Sequence, residues 1–126
     1  MFNNKKIIGQ MGEQYAKEML LKEQYQFVAQ NFYTKLGELD LIFSKDSQLI
    51  FVEVRSSLVV GLERLLESIN WSKQQRLRQM ALVFLQQTTK IKSIDLRFDV
   101  VAIRFKQEIK IKQLTIKEIQ HFIAAF

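Results

Sequence analysis

Two carboxylates stand inside apolar runs that have the pattern of β-strands. Asp40 interrupts the run ELDLIFS at 38–44, and Glu53 interrupts the run QLIFVEVR at 48–55. A buried carboxylate without a partner is strongly unfavourable or takes up a proton, so each position requires a cation, either a basic side chain or a metal ion. A hairpin between the two strands would bring Asp40 and Glu53 together. A divalent cation would then remove their mutual repulsion.

The alternative to a metal is an ion pair with Arg55. Strand alternation places Glu53 and Arg55 on one face of their strand. For a single buried carboxylate, such a salt bridge to Glu53 or Asp40 would be the simpler interpretation. Two carboxylates on neighbouring strands, followed by the E-x-R spacing, favour a site instead. Asp99 in a later strand is expected to pair with Arg97 or Arg55.

These residues are positioned by eight elements that periodicity and turn residues predict. In order they are a helix over 5–24, strands over 26–33, 38–44 and 48–55, a helix over 73–88, strands over 95–105 and near 108–115, and a short helix ending at Phe126. The segment 58–70 has no clear pattern and is interpreted as a loop with a short helical piece. The order αβββαββα predicts an α/β domain with helices on both faces of a mixed sheet.

Two local signals refine the helices. Gly9, Gly12 and Ala16 form a stripe of small residues that would let the first helix approach a neighbour closely. Strand alternation also places Glu38 on the same face of its strand as Asp40. Ser72 is the predicted N-cap of the second helix, because Gln75 follows three residues later and completes a capping box.

Composition limits the kind of site. The chain has 126 residues, which fits one domain, with no cysteine and one histidine. This excludes a disulfide scaffold, a thiolate metal site, a cysteine nucleophile and a histidine-rich zinc site. Any metal would be held mainly by carboxylates, which favours Mg²⁺ or Mn²⁺. No apolar run approaches the length of a membrane span or has the pattern of a signal peptide, so a cytoplasmic protein is expected.

Positive charge is concentrated in one part of the chain, whose overall net charge is +6. Residues 71–112 hold 10 basic and 3 acidic residues, whereas the remainder holds 9 basic and 10 acidic. This asymmetry favours a polyanionic partner such as nucleic acid, with a solvated basic surface as the alternative. Lys73, Arg76 and Arg78 are the candidate nucleic-acid-binding residues. The alternating lysines at 106–112 are interpreted as protection of a sheet edge.

Several short motifs, taken together, resemble one protein family. They are GQMGEQYA at 9–16, Asn31, GELDLI at 37–42, FVEVR at 51–55, the pair Ser72-Lys73, and RFDVVA at 97–102. In this order and over nearly the whole chain they resemble the YraN-like family, which is largely uncharacterised. That family is itself similar to Holliday-junction resolvases and to other nucleases with the PD-(D/E)xK core.

The resemblance implies a fold and a set of site residues. The fold is a three-layer α/β/α, restriction-endonuclease-like core with a central mixed β-sheet. Asp40 matches the aspartate of the PD element, Glu53 matches the acidic residue of (D/E)xK, and Arg55 falls where lysine usually stands. Glu13 matches a helical glutamate of resolvase-type members. Glu13, Asp40 and Glu53 would then bind Mg²⁺ or Mn²⁺, while Asp40, Glu53 and Arg55 would be catalytic.

The function that the resemblance implies is metal-dependent endonuclease activity on DNA, with branched or damaged DNA as candidate substrates. The presence of Arg55 opens an alternative, because arginine cannot act as a base at neutral pH. The chain would then be a non-catalytic nucleic-acid-binding module, or an interaction subunit, that retains the nuclease fold. A resolvase-like role would favour a homodimer, since a four-way junction presents two symmetric cuts.

Overall fold

The computed structural model describes residues 5–88, 95–108 and 113–126. Within these ranges the chain forms three helices and five strands. Their bounds are α1 Lys5–Lys22, β1 Gln26–Thr34, β2 Gly37–Lys45, β3 Gln48–Ser57, α2 Leu62–Glu67, α3 Trp71–Gln87, β4 Asp95–Glu108 and β5 Gln113–Phe122. No helix in these ranges has the length and apolar character that a bilayer crossing requires.

The five strands form one sheet in the order β1-β2-β3-β4-β5. Neighbouring strands are antiparallel except β3 and β4, which pair in parallel from Gln48 and Asp95 to Ser57 and Arg104. A parallel pair needs a crossover connection, and α2 and α3 lie in it. The predicted α/β class with a mixed sheet is therefore confirmed.

Helices cover both faces of the sheet and create two apolar cores. On one face, α1 packs through Ile8, Ala16 and Leu20. On the other face, α3 packs through residues that include Met80 and Phe84. The sheet is therefore the middle layer between two helical layers, and its central strands are shielded from water on both sides.

Strand β3 shows the period-two alternation expected of a doubly covered strand. Val52 and Val54 belong to the core under α1, and Phe51 belongs to the core under α3. The same alternation directs Glu53 and Arg55 toward the α3 face. The shared face of these two residues, predicted from their spacing, is therefore the face that α3 covers.

The stripe of small residues on α1 brings the helix against β3 at one position. A Cβ atom on Gly12 would lie 2.8 Å from Ser56 Oγ and 2.9 Å from Ser56 Cβ. On Gly9 it would meet nothing within 4 Å in the described part of the chain. Ser56 also donates a hydrogen bond of 3.1 Å to the carbonyl of Ile8. The predicted close approach therefore occurs at Gly12 and not at Gly9.

The start of α3 corrects one prediction. Its N-cap is Asn70, whose Oδ1 accepts a hydrogen bond of 2.9 Å from the Lys73 backbone N–H. Ser72, the predicted N-cap, lies inside the helix. Asparagine and serine are about equally good at this position, so local composition did not separate the two candidates. The segment 58–70, which had no clear pattern, contains the short helix α2.

The C-terminal end corrects another prediction. The short helix expected before Phe126 is wrong, because β5 occupies Gln113–Phe122 and pairs antiparallel with β4. Pairing with a distant strand decided the structure here, and strand formation depends on such partners more than on local preference. Half of the lysine-rich strand predicted near 108–115, residues 109–112, lies outside the described residues. Of the rest, Glu108 ends β4 and residues 113–115 begin β5.

The contact at Gly12 yields a matched pair of substitutions. We expect Gly12→Ala to lower the free energy of unfolding by about 1–3 kcal/mol, because the added methyl group forces α1 away from β3. Gly9→Ala should raise it by about 0.5–1 kcal/mol, because alanine is the better helix former and meets no neighbour. Urea denaturation of both variants measures the difference. Equal stability of the two variants would contradict the close contact.

Candidate functional site

Asp40 lies where β2 leaves its regular pairing with β3. Leu39 and Leu41 are two residues apart, yet they belong to cores on opposite faces of the sheet. The normal alternation of a strand is therefore interrupted at Asp40. Asp40 Oδ2 accepts a hydrogen bond of 2.9 Å from the backbone N–H of Val54. This bond fixes the carboxylate between β2 and β3.

Asn31 interrupts the neighbouring strand β1. Its backbone φ is 51°, in the left-handed region that asparagine tolerates better than most residues. Its side-chain Nδ2 donates hydrogen bonds to Oε1 of Glu13, at 2.9 Å, and to Oε1 of Glu38. Asn31 therefore ties the glutamate of α1 to the glutamate of β2.

Glu13, Glu38 and Asp40 form a carboxylate cluster. One oxygen from each lies within 4.8 Å of the others, and all three residues are partly buried. Burial raises the pKa of Glu13, and the charge of Glu38 raises it further against the hydrogen bond from Asn31. Burial also raises the pKa of Asp40 to about 6, with added repulsion from Glu13 and Glu38. A cation at this cluster would offset the excess negative charge.

Glu53 is coupled to this cluster through Asp40. Its side chain is buried, with a relative exposure of 6% for the residue. Oε2 accepts a hydrogen bond of 3.1 Å from Arg55 Nη1, whereas Oε1 has no hydrogen-bond partner among the described residues. Burial, followed by the charge of Asp40, raises the pKa of Glu53 to about 8 despite the opposing effects of Arg55 and of the nearby Asp40 backbone N–H. Because its negative charge is unfavourable in the metal-free protein, a bound cation would stabilise the ionised form of Glu53.

A small cavity of about 130 Å³ connects the carboxylates of Glu38 and Glu53 to the first turns of α3. Its lining consists of Leu36, Gly37, Glu38, Glu53, Arg55, Lys73, Arg76, Leu77 and Met80. Three cations, Arg55, Lys73 and Arg76, therefore share one cavity with two carboxylates. Arg78 does not join them, because its guanidinium lies 4.9 Å from the ring centroid of Phe98.

The residues predicted as metal ligands occupy two overlapping groups. Glu13 and Asp40 lie in the carboxylate cluster, while Asp40 and Glu53 repel each other across β2 and β3. Asp40 is common to both groups. Glu38 was not predicted as a ligand, although its place beside Asp40 in the GELD segment was a usable signal. The contacts of Asn31 with Glu13 and Glu38 could not be predicted from residue type or spacing, because they depend on an irregular backbone.

Asp99 lies away from these carboxylates and is fully buried. Arg97 donates two hydrogen bonds to it, at 2.9 and 2.8 Å, which confirms the expected ion pair. His121 Nε2 lies 2.7 Å from its Oδ2, and the Ala124 N–H donates to its Oδ1 at 2.9 Å. Burial raises the pKa of Asp99, but the bonds from His121, Arg97 and Ala124 outweigh burial and lower it.

Comparison with known sequences identifies relatives that align with this chain over nearly their whole length. The chain matches the uncharacterised protein family UPF0102 over residues 12–103. A UPF0102 protein of Natranaerobius thermophilus is 38% identical over 126 residues, which cover 98% of this chain and 99% of that protein. A UPF0102 protein of Pelotomaculum thermopropionicum is 37% identical over 126 residues and covers 100% of both chains. A third, from Caldanaerobacter subterraneus, is 32% identical over 123 residues and covers 98% of this chain and 97% of that protein.

The raised pKa values of Asp40 and Glu53 predict how stability depends on pH. A carboxyl group whose pKa is higher in the folded state stabilises the protein below its unfolded pKa, and this contribution is lost as pH rises through the folded pKa. Metal-free protein should therefore lose stability between about pH 5 and pH 8. Since one pKa unit is about 1.4 kcal/mol, the fall in Tm should be roughly 5 °C or more.

Thermal melts in EDTA and in Mg²⁺ or Mn²⁺, at pH 5 and pH 8, measure this effect. Divalent metal should raise Tm more at pH 8, where the carboxylates are ionised. Glu53→Gln is the matched control, because the amide has nearly the same shape and does not titrate, so it should lose much of both effects. A wild-type Tm in EDTA that stays constant or rises from pH 5 to pH 8 would contradict the prediction.

Proposed function

The chain belongs to the uncharacterised family UPF0102, and from the chemistry of its site we propose that it is a metal-dependent DNA endonuclease that hydrolyses phosphodiester bonds. The observation that carries this proposal is the unpaired Oε1 of Glu53, buried beside Asp40 in a cavity that also contains Arg55. The carboxylates need a cation, and the basic side chains need an anion. A divalent metal with a phosphodiester supplies both.

The proposal includes the restriction-endonuclease-like core that the sequence resemblance implies. Its support is the layered arrangement, with α1 and α3 on opposite faces of a mixed five-stranded sheet. A second support is the position of Asp40 and Glu53 on adjacent central strands. Both residues lie near the end of the regular β2–β3 pairing, whose last pair is Leu41 with Val52. Ligands commonly bind at such strand ends, outside the closed part of a sheet.

The donor set fits Mg²⁺ or Mn²⁺. Glu13, Glu38, Asp40 and Glu53 offer only carboxylate oxygens, which these hard cations prefer. Oε1 of Glu53 has no hydrogen-bond partner among the described residues, so it is free to serve as a metal ligand. A bound metal would lower the pKa of a coordinated water and offset the charge that develops on the phosphate.

The chain's own residues supply positioning and charge. The Val54 N–H holds Asp40 in place, and Asn31 orients the Glu13 carboxylate. The guanidinium of Arg55 can donate hydrogen bonds to a phosphate oxygen but cannot serve as the base that removes a proton from water. Lys73 lies in the same cavity, where its ammonium would hold the flanking phosphate.

A DNA-binding module without cleavage is the second candidate. The observation that favours it is the ion pair between Arg55 and Glu53, with Nη1 and Oε2 at 3.1 Å. In this alternative the guanidinium takes the place of a metal at one oxygen of Glu53. A branched substrate and a homodimer stay part of the leading proposal, because two symmetric cuts in a four-way junction need two active sites.

Cleavage of linear, flapped and four-way DNA in Mg²⁺ or Mn²⁺ tests the proposal, with Asp40→Asn as the inactive control. We expect Arg55→Lys to keep or raise the rate, because a compact ammonium is a better partner for the attacking water than guanidinium. Arg55→Ala should lower the rate about 100-fold, a typical loss for one group that stabilises transition-state charge. Binding without cleavage in every metal and substrate would instead support the second candidate.

The Tm of the Arg55 variants separates a functional role from a structural one. If Arg55 serves only as a partner of Glu53, then Arg55→Lys should lower Tm and leave DNA affinity unchanged. That result would contradict the assignment of Arg55 to the phosphate.

Lys73 and Arg76 are expected to contact the phosphate backbone rather than bases. Changing both to alanine should weaken binding about equally for unrelated sequences. The slope of log K against log salt should become shallower by roughly one to two units, near 0.9 per lost contact. Lys22→Ala with Lys117→Ala removes the same charge elsewhere and is the control. An unchanged slope in the double alanine variant, or an equal change in this variant and the control, would show that Lys73 and Arg76 are solvated surface residues without a specific role in DNA binding.

A further inference from the structure

An exposed aromatic ring stands next to the carboxylate cluster. Tyr33 lies in β1, at the edge of the sheet, and its cross-strand partner is Glu38. The Glu38 carboxylate raises the pKa of the Tyr33 hydroxyl, through hydrogen bonding and through its charge. The residue keeps a relative exposure of 73%. Tyr33 therefore lies beside the proposed active site, opposite Glu38, while its ring is exposed to solvent.

A surface groove of about 580 Å³ begins at this ring and runs between the β1–β2 hairpin and α3. Its lining consists of Tyr33, Thr34, Lys35, Leu36, Val83 and Gln87. The set combines one aromatic ring, two aliphatic side chains, one hydroxyl group, one amide and one cation, and it has no acidic residue. Leu36 lines both this groove and the cavity of Glu38 and Glu53, and Tyr33 lies opposite Glu38, so the groove adjoins the carboxylates.

The hairpin beside the groove is held in a defined shape. Thr34 Oγ1 accepts a hydrogen bond of 3.0 Å from the Leu36 N–H. Gly37 has a φ of 140°, which side-chain-bearing residues rarely adopt, and a Cβ atom built on it would lie 3.7 Å from Met80 Sδ of α3. The tight turn fixes the end of β1 and therefore the ring of Tyr33. A ligand would meet a preformed surface, which lowers the entropic cost of binding.

These features fit a nucleobase better than an aliphatic group. A base has apolar faces that stack on aromatic rings and polar edges that an amide such as Gln87 can contact. The charge of Lys35 complements the phosphate that each nucleotide carries. In an intact duplex, however, both faces of each base are covered by neighbouring bases. Only an unpaired, unstacked nucleotide can place its base on Tyr33.

We propose that this groove binds one unpaired nucleobase, stacked on the ring of Tyr33, beside the phosphodiester at the carboxylate cluster. The inference rests on the proposed function and defines its substrate class: DNA with an unpaired nucleotide at the site of cleavage, such as a gap or flap, in preference to continuous duplex. Tyr33 then acts as a specificity-determining residue that contacts the substrate and does not take part in the hydrolysis itself.

Binding assays with labelled oligonucleotides test the inference. Fluorescence anisotropy in Ca²⁺ compares a continuous duplex with the same duplex carrying a one-nucleotide gap or a short flap. Tyr33→Ala should weaken binding to the gapped and flapped DNA by about 5- to 150-fold, the range for loss of one stacked base, and leave duplex binding nearly unchanged. Tyr33→Phe keeps the ring and should retain the affinity for gapped DNA. A 2-aminopurine base placed at the unpaired position should be quenched by wild type and not by Tyr33→Ala.

Trp71→Ala is the matched control, because Trp71 has the same relative exposure of 73% and does not line the groove. Its affinities should equal those of wild type. An equal loss in Trp71→Ala, an equal loss on duplex and gapped DNA in Tyr33→Ala, or no loss at all would each overturn the inference.

The outcomes also separate this inference from the proposed function. Metal-dependent cleavage that is insensitive to Tyr33→Ala on every substrate would overturn the inference and leave the proposed function in place. Binding of gapped DNA that depends on Tyr33, without cleavage in any metal, would support the groove and overturn the nuclease. A wild-type protein that binds none of the DNA substrates would overturn both.

Discussion

The structure depends on one electrostatic constraint, the placement of Asp40 and Glu53 on adjacent central strands. Burial raises the pKa of both carboxyl groups, helped by repulsion from Glu13 and Glu38 at Asp40 and by repulsion from Asp40 at Glu53. The fold compensates in part, since the Val54 N–H binds Asp40 and Arg55 binds one oxygen of Glu53. The other oxygen of Glu53 has no partner among the described residues. At neutral pH this arrangement holds either a proton or a cation, and that requirement gives the site its chemistry.

Asp99 shows that the same sheet can satisfy a buried carboxylate completely. It is less exposed than Glu53, yet its pKa is lowered, because Arg97, His121 and the Ala124 N–H all bind it. A chain that can build such a network has no general difficulty with buried charge. The incomplete pairing at Glu53 is therefore a local property, of the kind that functional sites retain at a cost in stability.

Much of this arrangement could be predicted from the sequence. The periodic segments predict α1, α3 and the first four strands, because each has a strong local pattern. Asp40 and Glu53 were recognisable because charges inside apolar strands are costly. The remainder depended on partners distant in the chain. Strand β5 forms by pairing with β4, and the role of Asn31 follows from a positive φ at a break in strand alternation that no local pattern reports.

Helix α1 contributes both a close packing contact and one carboxylate of the cluster. Gly12 lets the helix touch β3 at Ser56, and the next residue, Glu13, joins the cluster with Asp40. Because consecutive helical residues point about 100° apart, a displacement of α1 at Gly12 would also displace the Glu13 carboxylate. The small residue is thus needed for more than close packing. It sets the distance between the Glu13 carboxylate on the helix and the carboxylates of Glu38 and Asp40 on the sheet. Arg55 and Lys73 share a cavity with Glu38 and Glu53, so under the proposed function both cations would contact the phosphate of a substrate whose metal the carboxylates hold.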